Sequence, residues 1–344
     1  MAPAKSIDTA KFAARLRERA IDVPNRRLLI SRLAGSEQEK DLSAPVNCGG
    51  YGRVRHFKLT IAPGWPLDPL PIVPACHALG IEPIPEVLRT QVFQNAACMW
   101  RCWYCFVPYN LLSADRRVSD WLSPERLVEL YQAEPDRPVV IDLSGGSPNL
   151  VPEWTPWMME ALTVAGLANS TYLWTDDNLS TTYLFDELGQ QQIDLLRSYR
   201  NYGRVCCFKG YDRRSFAFNT RAEEEDFDKQ FSIMRRLLAL GIDLYGYVTL
   251  TSPHADRVEE GVRDLLDRLQ ELDSNLPLRV VPLHIRVYTP VSARVTADET
   301  RARSMAIQED AIVVWNEELC RRFSKDLRSR DIASVPLVTR KVAA

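Results

Sequence analysis

No apolar run in these 344 residues is long enough to cross a bilayer. Residues 1–20 lack the apolar stretch of a signal peptide, so no secretory leader is expected. The chain has almost no net charge. At −2 it has no overall pull toward nucleic acid. It shows no internal repeat and no low-complexity tract, which argues against a solenoid or a disordered segment. The eight cysteines are clustered and not spaced as a disulfide framework, so a reducing, cytoplasmic setting without membrane contact is expected. The length suits one large α/β domain or two small ones. One charge asymmetry remains. Residues 1–60 hold 12 Lys/Arg against 6 Asp/Glu, which reads as a solvated surface or, less readily, as a site for an anionic partner.

What the chain does have is three cysteines in eight residues, Cys98-Met-Trp-Arg-Cys102-Trp-Tyr-Cys105. Thiolates this close converge on one soft metal centre, zinc or iron–sulfur. A closed zinc site wants four ligands, and Cys76 and His77 lie about twenty residues upstream. A four-iron cluster held by three cysteines leaves one iron open for chemistry. A zinc knuckle or buried apolar cysteines are the competing readings of the spacing alone.

From about residue 90 the chain alternates strand and helix. Thr90–Phe93 reads as a strand leading into the cysteine loop. Ser123-Pro124 and Thr155-Pro156 start helices. Val139–Leu143, Tyr172–Thr175, Arg204–Phe208, Leu244–Leu250 and Arg279–Tyr288 read as further strands. Phe227, Phe231, Met234 and Leu238 recur at helical spacing and Gly241 closes that helix. Val258, Val262, Leu265, Leu266 and Leu269 line the next one. Six strand–helix units argue for a parallel sheet. The expected fold is α/β, a partial (βα)6 TIM-like barrel. Residues 1–89 read as an N-terminal extension, 90–292 as the core and 293–344 as a C-terminal helical segment. Within the extension, Ile7, Phe12 and Leu16 suit one face of a short helix. The dense prolines from Pro63 through Pro66 to Pro85 read as an extended wrap and not as helix.

The cysteine spacing, with Tyr104 just before the third cysteine, resembles the cluster loop of the radical S-adenosylmethionine (SAM) superfamily. Ser144-Gly145-Gly146-Ser147-Pro148, about 40 residues on, is similar to that family's Gly-Gly-Glu-Pro motif, whose backbone holds the amino group of the SAM methionine moiety. Ser147 stands where Glu is common. Alone, such a segment is a turn signal. Trp174-Thr175-Asp176-Asp177-Asn178 follows the third strand, where polar side chains such as Thr175, Asp177 and Asn178 could reach the SAM carboxylate, the ribose or the substrate; helix capping by Asp177 or Asn178 is an equally good reading. Lys209-Gly210, ending the fourth strand, resembles a segment of activase-like members. Trp100 and Trp103 read as core packing. Cys206 and Cys207, on opposite strand faces, read as packing residues. Tyr245, Tyr247 and Thr249 share one face of the fifth strand, and His284, Arg286 and Tyr288 one face of the sixth.

The resemblance implies a [4Fe–4S] cluster on Cys98, Cys102 and Cys105. It places SAM against Tyr104, Ser144, Gly145, Gly146, Ser147, Thr175, Asp177, Asn178 and Lys209. The reduced cluster would cleave SAM to a 5′-deoxyadenosyl radical that abstracts hydrogen from substrate, with a flavodoxin or ferredoxin as electron donor. A small molecule or nucleobase is the expected substrate. RNA or protein modification, including glycyl-radical activation, and a non-catalytic metal-binding module are the alternatives. Only Cys320 lies beyond residue 208, which argues against the auxiliary clusters of some peptide-modifying relatives.

Overall fold

The computed structural model describes residues 6–60 and 67–338. Pro63 and Pro66 of the proline-dense stretch lie outside the described residues, as do the ends of the expected extension and C-terminal segment. Among the described residues the strands are, in chain order, β1 (Ile21–Asp22), β2 (Arg27–Ser31), β3 (Gly52–Lys58), β4 (Val87–Gln94), β5 (Ser119–Leu122), β6 (Val140–Ser144), β7 (Tyr172–Asp177), β8 (Tyr202–Lys209), β9 (Leu244–Thr249) and β10 (Val280–Pro282).

Seven of them form one sheet in the order β10-β9-β8-β7-β6-β4-β3. From β4 to β10 every pairing is parallel. These six parallel strands curl into a half-barrel. Parallel neighbours need long crossovers. Helices Pro124–Gln132, Trp154–Val164, Gln190–Ser198, Phe227–Ala239 and Val258–Leu272 lie in the successive crossovers. Ser123 caps the first of these by accepting the Arg126 N–H. In the last, Val258, Val262, Leu265, Leu266 and Leu269 are all buried, the stripe of an amphipathic helix. Each buried leucine there contributes about 2 kcal/mol.

Strand alternation gives the sheet two faces. Ile141, Leu143, Leu173, Cys206 and Phe208 pack with the helix layer. Val140, Trp174, Val205, Cys207, Tyr245 and Tyr247 turn inward, with Leu70, Ile72 and Cys76 against them. The inward face is therefore apolar at one end of the half-barrel. At the carboxyl ends of the strands it becomes polar.

Two expectations are corrected. The proline-dense stretch is not all extended: Ile72–Leu79 is a helix that closes the inner face at its apolar end. Pro74 is tolerated because it sits in the first turn, where a backbone N–H has no helical partner anyway. The sixth strand is also shorter than the run Arg279–Tyr288. Pairing ends at Pro282, after Leu283 donates to the Val248 carbonyl, and residues 283–288 are irregular. Ile285 instead pairs both its N–H and its carbonyl with the Gln308 side chain of helix Glu299–Arg322. His284, Arg286 and Tyr288 thus do not share a strand face.

The sheet also reaches upstream of residue 89. β3 pairs antiparallel with β4 over its whole length. β2 joins β1 and β5 in a small second sheet. Helix Thr9–Ala20, capped by Asp8, buries Ala13 and Leu16, while Ile7 precedes it in an isolated bridge to Ala222.

Candidate active site

β4 ends at Gln94, and the cysteine loop follows. Its backbone is pinned from several directions. Cys98 donates its N–H to the Leu112 carbonyl, and Cys105 to that of Cys102. Arg101 reaches back to the carbonyls of Cys98 and Trp100 at 2.6 and 2.8 Å. Arg294 donates to those of Trp103 and Cys105 at 3.2 and 2.6 Å. Tyr109 donates to the Arg101 and Cys102 carbonyls. Trp100 and Trp103 are core residues, as expected. Their indoles donate to Thr9 and Asn219.

The Gly145-Gly146 turn after β6 lies directly against this loop. Both glycines have positive φ, +73° and +63°. A Cβ on Gly146 would stand 2.3 Å from the Asn95 carbonyl oxygen and 2.5 Å from that of Ala97. A Cβ on Gly145 would strike the Gln94 side chain at 2.6 Å. Only glycine allows this approach. Ser147 donates its N–H to the Ala97 carbonyl at 2.7 Å, and Asn95 donates to the Ser147 carbonyl at 2.9 Å. Two motifs far apart in sequence therefore form one body. Ser147 is fully buried, and its hydroxyl lies 3.2 Å from Cys98 Sγ and 3.1 Å from Met99 Sδ. Asn178 reaches the same hydroxyl from the end of β7 at 2.8 Å.

Ser144, Tyr104 and Lys209 join the inner face. Ser144 donates to Asp176 at 2.6 Å. Tyr104 shares a hydrogen bond with Thr249 at 3.1 Å, and its ring lies 5.9 Å from Lys209 Nζ. Burial pushes the Cys102 thiol up to about 12, while the Lys209 charge pulls it back down. Burial also raises Cys105.

Two expected site residues turn the other way. Thr175 and Asp177 face the helix layer. Thr175 contacts the Tyr202 hydroxyl. Asp177 pairs with buried Arg204 at 2.6 Å and accepts the Leu179 N–H. The inward member of that segment is Asp176, whose carboxyl burial holds above its usual range. Asp142, one alternation below Ser144, is inward, buried and likewise raised by burial. Arg53 and Arg55 of β3 share this face, because β3 registers Arg53 with Val92, and Val92 registers with Asp142. Asp142 and Asp176 stand in the motifs read from the sequence but are given no site role there, and Arg53 and Arg55 are passed over. Counting by twos from Ser144 and across from Trp174 identifies the two aspartates; nothing in the sequence announces β3.

Among the described residues no group of three His, Cys, Asp or Glu is arranged so as to hold a metal ion. In chemistry, three thiols on one loop are the donor type an iron–sulfur cluster would take. Cys98, Cys102 and Cys105 are free thiols of one pinned loop, beside the Lys209 charge and under a glycine cradle.

No family model matches the chain, and no curated protein matches it. Solved structures do. One is SuiB of Streptococcus suis bound to precursor peptide SuiA, at 15% identity and TM-score 0.38, over 53% of this chain. Another is a spore photoproduct lyase mutant with bound AdoMet and dinucleoside spore photoproduct, at 12% and 0.41, over 70% of this chain and 76% of the other. A third is TYW1 with a lysine-pyruvate adduct bound, at 11% and 0.34, over 54% of this chain and 72% of the other. These are structures of radical SAM enzymes. The chain spans only 36% of the length of SuiB. At such identities and TM-scores the likeness assigns no role to any residue, and those roles rest on this chain's own geometry.

Proposed function

We propose that this protein is a radical SAM enzyme. The observation that carries the reading is the fusion of the cysteine loop with the Gly145-Gly146 turn, through the Gly146 approach and the Ser147 hydrogen bonds. Cys98, Cys102 and Cys105 would hold a [4Fe–4S] cluster. Ser144, the Gly145–Ser147 backbone and Asn178 would receive the amino-acid end of SAM, and Tyr104 and Lys209 would stand beside it. When bound and reduced, that pair supplies a carbon radical able to abstract hydrogen from an otherwise inert C–H bond.

The chain's own residues prepare the place. Tyr104 is held by Thr249 and set by its T-shaped packing on Trp103 at 5.5 Å. Trp103, Ile285 and Val291 wall the loop with apolar surface that keeps out water and stray hydrogen donors. Lys209 places a buried positive charge near the thiols and near Asp176.

The basic stretch at the N-terminus favours a small substrate over RNA. Arg17 is engaged by Glu153 and Glu187, and Arg19 by the Ala114 carbonyl. They serve the fold before they could serve a phosphate backbone. A flavodoxin or ferredoxin would supply the electron, and the cytoplasm the reducing setting.

Metal analysis tests this directly. Protein isolated anaerobically should carry about four irons per chain, the stoichiometry of such a cluster. Cys102→Ala should lose them with its fold intact. Zinc in place of iron would overturn the reading.

A further inference from the structure

A cavity of about 240 Å³ opens beside the cysteine loop, walled by Gln38, Asp41, Arg53, Arg55, Phe106 and Tyr288. Phe106 directly follows Cys105. The cavity lies at the seam of the half-barrel, where the Thr289 hydroxyl donates to Asp41 and the rings of Phe106 and Tyr288 stand 6.2 Å apart. The cavity adjoins the Gly145–Ser147 turn without including it: Gln38 donates to Gln94, the side chain that packs against Gly145.

The polar groups in this wall are incompletely paired. Arg53 is only 5% exposed, yet its Nε and Nη2 have no hydrogen-bond partner. These two nitrogens form one edge of the guanidinium, the edge that grips both oxygens of a carboxylate. The chain uses the same edge elsewhere: Arg257 Nε and Nη2 hold the two Glu260 oxygens at 2.7 and 2.5 Å. The carboxylate at Arg53's own level, Asp142, does not take the fork, and its Oδ1 is unpartnered too. Gln38 is fully buried with Oε1 unpartnered, and so is Asp41 Oδ2. A buried guanidinium edge without a partner costs more than an average hydrogen bond is worth. Folding alone would be better served by an apolar side chain there.

We propose that this cavity is a substrate pocket for a small carboxylate bearing an N–H on the neighbouring carbon: a free α-amino acid or the carboxyl end of a peptide. The carboxylate takes the Arg53 fork, with the Arg55 charge on the same strand face beside it. The N–H is met by the acceptors Asp41 and Gln38. The volume holds one residue, not a folded domain. The guanidinium lies over the Phe106 ring at 5.0 Å, and the fork nitrogens are buried. A ligand therefore enters as Phe106 and the half-exposed Tyr288 part. Calling the ligand a substrate rests on the radical SAM reading; its binding does not.

The test is calorimetric titration of the full chain, with and without saturating SAM. Each free L-amino acid is the probe, alone and as the last residue of a tripeptide. At least one should bind. Its α-carboxamide should bind about a hundredfold more weakly, and Arg53→Met should weaken the acid to the same extent. Asp41→Asn should cost about tenfold. Binding of the free acid alone identifies a metabolite, and equal binding of the tripeptide a peptide end. Without ligand, Arg53→Met should melt at or above the wild-type temperature. A lower melting temperature with unchanged affinity would make Arg53 a structural residue and overturn the proposal. So would no binding by any probe, or displacement of the probe by SAM, which would make this SAM's own pocket. Binding in this pattern without SAM cleavage would leave the pocket standing and sink the radical reading. Cleavage without binding would do the reverse.

Discussion

The Ser147 hydroxyl points its one proton between Cys98 Sγ at 3.2 Å and Met99 Sδ at 3.1 Å while accepting from Asn178 Nδ2 at 2.8 Å. A relay polarised in this sense stabilises negative charge on the cysteine sulfur. Hydrogen bonds to cluster sulfurs raise the reduction potential. Ser147→Ala should therefore lower the potential of the cluster, by on the order of 50 mV. Asn178→Ala should shift it the same way by less. Redox titration followed by electron paramagnetic resonance reads both, and an unchanged potential in Ser147→Ala would remove the relay from the account.

Gly146 and Gly166 offer a matched pair. Both have positive φ, +63° and +71°, but a Cβ on Gly166 meets nothing within 4 Å. Gly166→Ala should cost only the conformational strain, about 1 kcal/mol. Gly146→Ala adds the collision with the cysteine-loop carbonyls and should cost at least about 2 kcal/mol more. Thermal melts measure the difference. Iron content should fall in Gly146→Ala alone.

Neighbouring aspartates should separate stability from function. Asp177 pairs with Arg204, and both are nearly fully buried among the helices. Asp177→Asn should lower stability by about 3 kcal/mol, because a buried guanidinium loses its counter-charge. Asp176 faces inward and meets Ser144. Asp176→Asn should leave the melting temperature at or above wild type and reduce turnover. The opposite pattern would reverse the assignment of the two faces.

Asp68 sets a pH dependence. It is buried, and burial raises its carboxyl from 3.8 to about 6, against the Tyr247 hydroxyl and Leu70 N–H that it accepts. A raised folded value means the proton stabilises the native state. That stability is fully present below about pH 4 and is lost as pH rises through about 6. Asp68→Asn keeps both acceptor contacts without the charge. Its advantage over wild type should grow between about pH 4 and about pH 6 to roughly 3 kcal/mol and then stay flat. Urea melts across that range check the sign. An advantage that shrinks as pH rises would contradict it.

Much of the frame was legible because parallel strands are buried on both faces and announce themselves as apolar runs, as at Val139–Leu143 and Leu244–Leu250. The Gly-Gly turn was legible because only glycine takes a positive φ this close to another backbone. The facing of Thr175 and Asp177 was not, because capping and ligand residues look alike at a strand end until the alternation is anchored. Pro74 hid a helix, since a proline in a first turn reads like one in a linker. β3 hid behind its own arginines: Arg53 and Arg55 make a strand that faces a polar cavity look like solvated surface.

The most direct measurement is 5′-deoxyadenosine by mass spectrometry, after anaerobic reconstitution with iron and sulfide, reduction with dithionite and addition of SAM. Wild type should form it and Cys102→Ala should not. A wild-type protein that holds about four irons yet forms no 5′-deoxyadenosine, with or without the amino acid bound at Arg53, would contradict the account and leave a metal-binding module in its place.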